Sequence, residues 1–175
     1  WVDELKAANI SIKVIIESEP LGTGGAIMNS LPHCNQSVLV ANADSLLLFD
    51  LCKLHGQTSR NEVTIAGLES VDTERYGTVS VNKDGYVTGF AEKTGSTGPI
   101  NGGVYWLNKH WLQNKFLNQE WASFEQQILP KLASDGLLKL CALGNVPFID
   151  IGVPETYRKA SEFIKTNLIF FQEDL

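Results

Sequence analysis

Positive charge is in short supply in this chain: its 175 residues hold 14 lysines and arginines against 20 aspartates and glutamates, a formal net charge of −6. A nucleic-acid binder needs a basic stripe to displace counterions from phosphates, and none runs along this sequence, so that class is set aside. A single nucleotide is not excluded, because a metal and one or two lysines suffice for its phosphates. Cysteine is scarce as well. Cys34, Cys52 and Cys141 are odd in number and widely separated, which argues against a disulfide framework or zinc knuckle and for a reducing, cytoplasmic setting. His33, His55 and His110 show no ligand spacing and read as surface or turn residues. No apolar run is long enough to cross a bilayer, no signal-peptide pattern precedes the first expected strand, and no internal repeat appears. The composition, 43% hydrophobic and 9% aromatic, suits one globular domain, residues 1–175, with a sizeable core.

The punctuation along the chain is that of an α/β protein. The β-branched stretch Ile10 to Ile16 reads as a strand, Glu19-Pro20-Leu21-Gly22-Thr23-Gly24-Gly25 as a turn, and Ala26 onward as a helix. Val38-Leu39-Val40 is the next strand, ending in Asn42-Ala43-Asp44. Asp50 then caps a short helix through Leu51, Leu54 and His55. This alternation predicts a mostly parallel sheet. After a strand from Glu62 to Leu68 the rhythm changes. Thr78 to Asn82 and Tyr86 to Ala91 alternate around Lys83-Asp84-Gly85, a hairpin signal. Ile100 to Leu107 adds a strand, and Phe124, Ile128, Leu129 and Leu132 share a helical face, with Pro130 at a bend. Leu138 to Ala142 and Pro147 to Ile151 are short strands. Pro154 opens a last helix whose Tyr157, Ala160, Phe163, Ile164 and Leu168 form a buried stripe. The apolar tail Ile169-Phe170-Phe171 is expected to dock on the domain or on a partner.

Two features suggest a ligand site. Glycines between strand and helix admit bare backbone to a ligand, and amides at a helix N-terminus suit an anion or the acceptor edge of a base. Asp44 stands at the carboxyl end of a strand, where open α/β sheets bind ligands. A structural Gly turn with a capping aspartate is the competing reading. A dinucleotide-binding oxidoreductase is a further one, since Asp44 follows Gly22 at the interval that fold uses. Its register fails, because Ile27 occupies the place of the third glycine.

The run Leu21-Gly22-Thr23-Gly24 resembles the turn of sugar-phosphate nucleotidylyltransferases (NDP-sugar pyrophosphorylases), and Asn42-Ala43-Asp44 resembles their metal motif. Tyr76-Gly77-Thr78-Val79, Phe90-Ala91-Glu92-Lys93, Ile100-Asn101-Gly102-Gly103-Val104-Tyr105 and Phe148-Ile149-Asp150-Ile151-Gly152 follow in the same family order. The nearest branch comprises D-glycero-D-manno-heptose 1-phosphate and mannose-1-phosphate guanylyltransferases. The resemblance implies a Rossmann-like, GT-A-like fold with a small hairpin-bearing sugar-binding part. It also implies transfer of a nucleotidyl group from an NTP to a sugar 1-phosphate, with release of pyrophosphate, in the synthesis of cell-surface polysaccharide precursors. No nucleic-acid or membrane partner is expected, and homo-oligomerisation is left open.

The resemblance also distributes roles. Asp44 and Asp150 hold Mg2+, which offsets the repulsion between two phosphates brought together for in-line attack. If they share one metal, their carboxylates should lie within roughly 8 Å of each other. Turn and cap roles are the alternatives for both acids. Asp44 and Lys93 are the catalytic pair, with Lys93 contacting the sugar phosphate. Glu92, Gly77 and Asn101 complete the sugar pocket, against alternatives of a solvated pair and of turn residues. Gly22, Thr23 and Gly24 bind the nucleotide. Glu17 stands where several members carry a base-reading glutamine. A carboxylate only accepts hydrogen bonds, and guanine offers two adjacent donors, so GTP is favoured, with a solvated strand-end glutamate as the alternative. Glu125 reads either as a capping-box residue after Ser123 or as a branch-specific contact, and is left outside the site.

The opening Trp1 to Ala7 reads as the tail of a helix already under way. Complete members of the family begin with a strand and a Gly-x-Gly-Thr-Arg loop that wraps the triphosphate. Neither is found here, so the chain is expected to be a fragment without its first βα units, inactive alone. A catalytically incomplete regulatory or sugar-phosphate-binding subunit is the rival this raises.

Overall fold

The computed structural model describes residues 11–56, 62–69, 76, 78–91, 98–116 and 122–170. A four-stranded sheet forms the centre. Its members are β1 (Ser37–Ala41), β3 (Val63–Leu68), β6 (Ile100–Asn108) and β7 (Leu138–Ala142), in the order β1-β6-β3-β7. β6 is antiparallel to both β1 and β3, while β3 and β7 are parallel. Three of the four strands therefore run the same way, as the alternating sequence predicted, and β6 runs against them between two of its neighbours.

All six residues of β3 are buried, because helices and loops cover both faces of the sheet. Strand alternation divides its side chains between two apolar clusters. Val63 and Ile65 join Tyr105, Leu107, Leu112, Phe124, Ile128, Leu129 and Leu132 on one face. Ala66 and Leu68 join Leu54, Ile100, Val104 and Cys141 on the other. Each fully buried aliphatic or aromatic side chain contributes about 1.5–3 kcal/mol relative to an exposed one.

The first helix, α1, spans Gly22–Ser30, beginning before the Ala26 expected from sequence. Gly22 has φ +70°, and a Cβ there would sit 1.9 Å from the Ala122 carbonyl oxygen. The backbone that this glycine admits is thus the chain's own. β2 (Ser45–Leu47) pairs antiparallel with β8 (Phe148–Asp150) as a separate two-stranded ribbon. Asp50 caps α2 (Cys52–His55) by accepting from the Cys52 amide at 2.9 Å. β4 (Thr78–Val81) and β5 (Val87–Ala91) form the expected hairpin, whose turn is organised by Asn82 Oδ1 accepting from the amides of Asp84 and Tyr86. Asn108 caps α3 (Lys109–Lys115) through the Trp111 amide. A π-helical turn, Phe124–Ile128, runs into α4 (Leu129–Ser134). Pro130 falls in the first turn of α4, where a missing N–H leaves nothing unsatisfied.

Two expectations fail. Residues 11–16 adopt no strand, and Ile16 is 87% exposed. β-Branched residues favour extended backbone, but a strand also needs a hydrogen-bonded neighbour, and no described strand pairs with this segment. The C-terminal stripe also fails. The chain forms two short helices, α5 (Pro154–Tyr157) and α6 (Ala160–Thr166), neither of which contains a buried residue. Tyr157 is 66% and Leu168 44% exposed. Helical periodicity shows which residues share a face, and burial needs a surface to meet that face. Ile169 and Phe170 are exposed as well, so these two do not dock on the domain; Phe171 lies outside the described residues.

Candidate functional site

The two strand-end acids meet on the β2–β8 ribbon. Leu47 and Phe148, partners in its register, pack against the cluster around Leu68 and Ile100, which holds the ribbon to the core. At its other end Ser45 lies opposite Asp150, and the Ile151 amide donates to the Asp44 carbonyl at 2.7 Å. These contacts bring two acids remote in sequence to one corner. A Cβ built on Gly152 would lie 3.0 Å from Asp44 Oδ2 and 3.1 Å from Asp150 Oδ1. The two oxygens are therefore no more than about 6 Å apart, within the roughly 8 Å expected of carboxylates that close on one cation as it binds. Glycine at 152 keeps the space between them open. Asp150 Oδ1 also accepts from the Gly152 amide at 2.7 Å, which orients that carboxylate.

Among the described residues no group of three or more His, Cys, Asp and Glu side chains is arranged to hold a metal. A pair of carboxylates with the remaining positions left to phosphate oxygens and water is the coordination magnesium commonly takes, so the residues present fit that ion.

Asp44 also borders a cleft of about 580 Å³. Thr23, Ala26 and Ile27 of α1 form one wall, the run from Val40 to Asp44 another, and Glu125 a third. Of the nucleotide-side residues expected from sequence, Thr23 lines this cleft with Asp44, and much of the polar capacity of the group is used internally. Glu17 Oε2 accepts from the Leu21 amide at 3.1 Å, so this carboxylate holds the Gly turn. The Gly24 amide donates to the Ala122 carbonyl at 3.3 Å. Thr23 Oγ1 accepts from the Phe124 amide at 2.9 Å and donates to Glu125 Oε2 at 2.7 Å.

Glu125 is the residue that sequence reasoning left out. The cap it was weighed for is made by its neighbours: Ser123 Oγ accepts from the Gln126 amide, and Gln127 Oε1 accepts from the amides of Ala122 and Ser123. The signal was present in the two glutamines after Glu125, which can supply the reciprocal cap and leave the carboxylate for another role.

On the sheet, Asn101 Oδ1 accepts from the Gly103 amide at 2.9 Å and Asn101 Nδ2 donates to the Tyr105 hydroxyl at 2.8 Å. One amide proton and one lone pair of Asn101 are left for a ligand. Burial pushes the Tyr105 phenol well above its ordinary pKa; the hydrogen bond with Asn101 opposes that shift, and the charge of Glu125 adds to it. The Tyr105 ring packs edge-on against Phe124, centroids 5.0 Å apart, which ties this corner to the turn that carries Glu125. Gly77, Glu92 and Lys93 lie outside the described residues. A larger cleft of about 700 Å³, bordered by Glu69, Ile100, Asn145, Phe148 and Phe163, holds none of the expected site residues. The convergence of Asp44 and Asp150 locates the candidate site at the smaller one.

Residues 2–167 match the family model described as Nucleotidyl transferase. The D-glycero-alpha-D-manno-heptose 1-phosphate guanylyltransferase of Aneurinibacillus thermoaerophilus is 40% identical over 159 residues, 87% of this chain and 67% of that protein. The enzyme of the same name from Campylobacter jejuni is 41% identical over 152 residues, 85% of this chain and 65% of its own length. This chain thus spans about two thirds of the curated relatives it matches. Among solved structures, HddC from Yersinia pseudotuberculosis superposes with a TM-score of 0.78 at 36% identity, covering 92% of this chain and 72% of that one. Its complex with GMP-PN superposes with a TM-score of 0.77. The matched region runs through the Gly turn, the acid-bearing ribbon and the sheet between them, and the chain belongs to the nucleotidyl transferase family.

Proposed function

We propose that the protein to which this chain belongs transfers a guanylyl group from GTP to a sugar 1-phosphate, giving a GDP-sugar and pyrophosphate. The meeting of Asp44 and Asp150 beside Gly152 carries this reading. The names of the relatives, heptose 1-phosphate guanylyltransferases among them, support the substrate pair, and the GMP-PN complex of a structural relative supports a purine nucleotide. A heptose or mannose-type 1-phosphate, a cytoplasmic location and a place in the supply of polysaccharide precursors belong to the same reading.

In this scheme Asp44 and Asp150 would hold Mg2+. The ion supplies charge neutralisation between two anions and at the transferred phosphorus. The chain's own part is placement. α1 and the segment ending at Asp44 form the walls that fix the nucleotide, and Glu17 holds the Gly turn that shapes one of them. Gly22, Thr23 and Gly24 set the distance between that wall and the turn at Glu125. Lys93 meets the sugar phosphate, and Gly77, Glu92 and Asn101 meet the sugar.

The test is pyrophosphate release by the full-length protein with GTP, UTP, dTTP, CTP and ATP against heptose, mannose and glucose 1-phosphates, with and without magnesium. The expected result is turnover with GTP and a heptose or mannose-type substrate, abolished by EDTA and restored by Mg2+. Turnover with a pyrimidine nucleotide in preference to GTP overturns the guanylyl assignment.

A further inference from the structure

The carboxylate of Glu125 shares a cleft with Asp44 but is held there by a different part of the chain. Its Oε2 takes the Thr23 hydroxyl at 2.7 Å and has Ser123 Oγ at 3.5 Å. Thr23 Oγ1 already accepts from the Phe124 amide, so its single proton is committed to Glu125 and does not reach a ligand. The backbone below is fixed by the Ser123 cap and by Gln127, and Phe124 is fully buried. Among the described residues Oε1 receives no hydrogen bond. One oxygen is thus clamped and the other is unused, on the border of a substrate-sized space.

The surroundings decide what that oxygen takes. No lysine, arginine or histidine lines the cleft among the described residues. A carboxylate there repels phosphate and accepts only from neutral O–H or N–H donors. Phosphates belong beside the metal pair at Asp44. The apolar wall of Ala26, Ile27 and Val40 suits the C–H face of a ring whose hydroxyls turn to the polar rim.

We propose that Glu125 is a specificity-determining residue whose Oε1 accepts a hydrogen bond from a hydroxyl of a sugar ring bound in this cleft. The inference rests on the nucleotidyl-transfer reading above. The ribose of the nucleotide and the ring of the acceptor sugar offer the same chemistry, and the experiment separates them.

kcat/KM is measured for the full-length protein and for Glu125→Ala, using GTP, 2′-deoxy-GTP, 3′-deoxy-GTP and ITP with the preferred sugar 1-phosphate. GTP is then paired with monodeoxy analogues of that sugar 1-phosphate. The wild type is expected to lose at least about tenfold with one deoxy analogue, the size of a hydrogen bond to a charged group. Glu125→Ala should treat that analogue and its parent alike to within about twofold, because the missing hydroxyl has no partner left to lose. The identity of the analogue assigns the ring. If Glu125→Ala does not fold, Glu125→Gln retains the size and an acceptor for Thr23, and its discrimination should fall at least about threefold below wild type, since a neutral partner bonds more weakly. Equal discrimination in wild type and variant for every analogue overturns the proposal, as does an effect confined to ITP, which would assign Glu125 to the base. Wild-type protein that turns over no substrate pair overturns the transfer reading and this inference with it. Turnover with unchanged discrimination overturns the inference alone.

Discussion

β3 and the β2–β8 ribbon are built for different ends. Every residue of β3 is buried, with one set of side chains in each apolar cluster. The ribbon is three residues long on each strand, every one of them half-buried, with the two acids at its open end. A carboxylate must keep access to water and ligand to remain charged, so it cannot sit where Ile65 sits. It must also be held still, so it cannot stand on an unbraced loop. The ribbon meets both needs: Leu47 and Phe148 lean on the cluster formed partly by β3, and the acids project from the other end. The buried core is concentrated in one region and the candidate site in the other.

Substitutions can break this division. The largest effect on stability is expected from Ile65→Ala, which removes a fully buried side chain from β3. It should cost about 2–5 kcal/mol in urea unfolding of the full-length protein. A cost below about 1 kcal/mol would show that β3 does not anchor the domain.

Asp44→Asn and Asp150→Asn should do the opposite, since asparagine keeps the size and removes the charge. Each should lower kcat at least about a hundredfold, or roughly 2.7 kcal/mol of barrier, with the melting temperature nearly unchanged. If Asp44→Asn leaves activity within about tenfold of wild type, Asp44 is not the principal ligand.

Gly152→Ala sharpens the comparison within the site. Its methyl would arrive 3.0 Å from Asp44 Oδ2 and 3.1 Å from Asp150 Oδ1, tight enough to push the carboxylates apart without disturbing either cluster. A fall of about tenfold in kcat/KM, partly recovered by the larger Mn2+, is expected. Metal titrations indistinguishable from wild type would show that the space beside Gly152 is not where the ion binds.

The smallest effect is expected at the surface. Asp135 accepts from Lys115 at 2.7 Å and Lys131 at 2.8 Å, and hydrogen bonds to these two ammonium groups lower its pKa from 3.8 to about 2. A carboxylate whose folded pKa is depressed stabilises the fold above its unfolded pKa and loses that contribution as pH falls through the folded value. Thermal melts of wild type and Asp135→Asn should therefore differ slightly at pH 5–7 and converge as the pH drops from 3.8 toward 2. A gap that persists at the acid end would mean that the side chain acts through packing and not charge.

Much of this molecule was legible residue by residue. The hairpin turn at Lys83-Asp84-Gly85, the cap at Asp50, the strand at Val63–Leu68 and the acids at two strand ends all follow from local backbone preference and from alternation. The ordered motifs carried the resemblance to the family, and the family match over residues 2–167 bears it out. Tertiary structure decided the rest. Among the described residues, 11–16 have the composition of a strand but no neighbouring strand to bond, and the C-terminal stripe has the right period but no buried residue in either helix. The meeting of Asp44 with Asp150 depends on the pairing of β2 with β8, and the clamp between Thr23 and Glu125 joins side chains 102 positions apart. A sequence displays what each residue prefers locally. Which remote residues share a corner depends on how the apolar faces of the whole sheet are covered, and only the folded chain settles that.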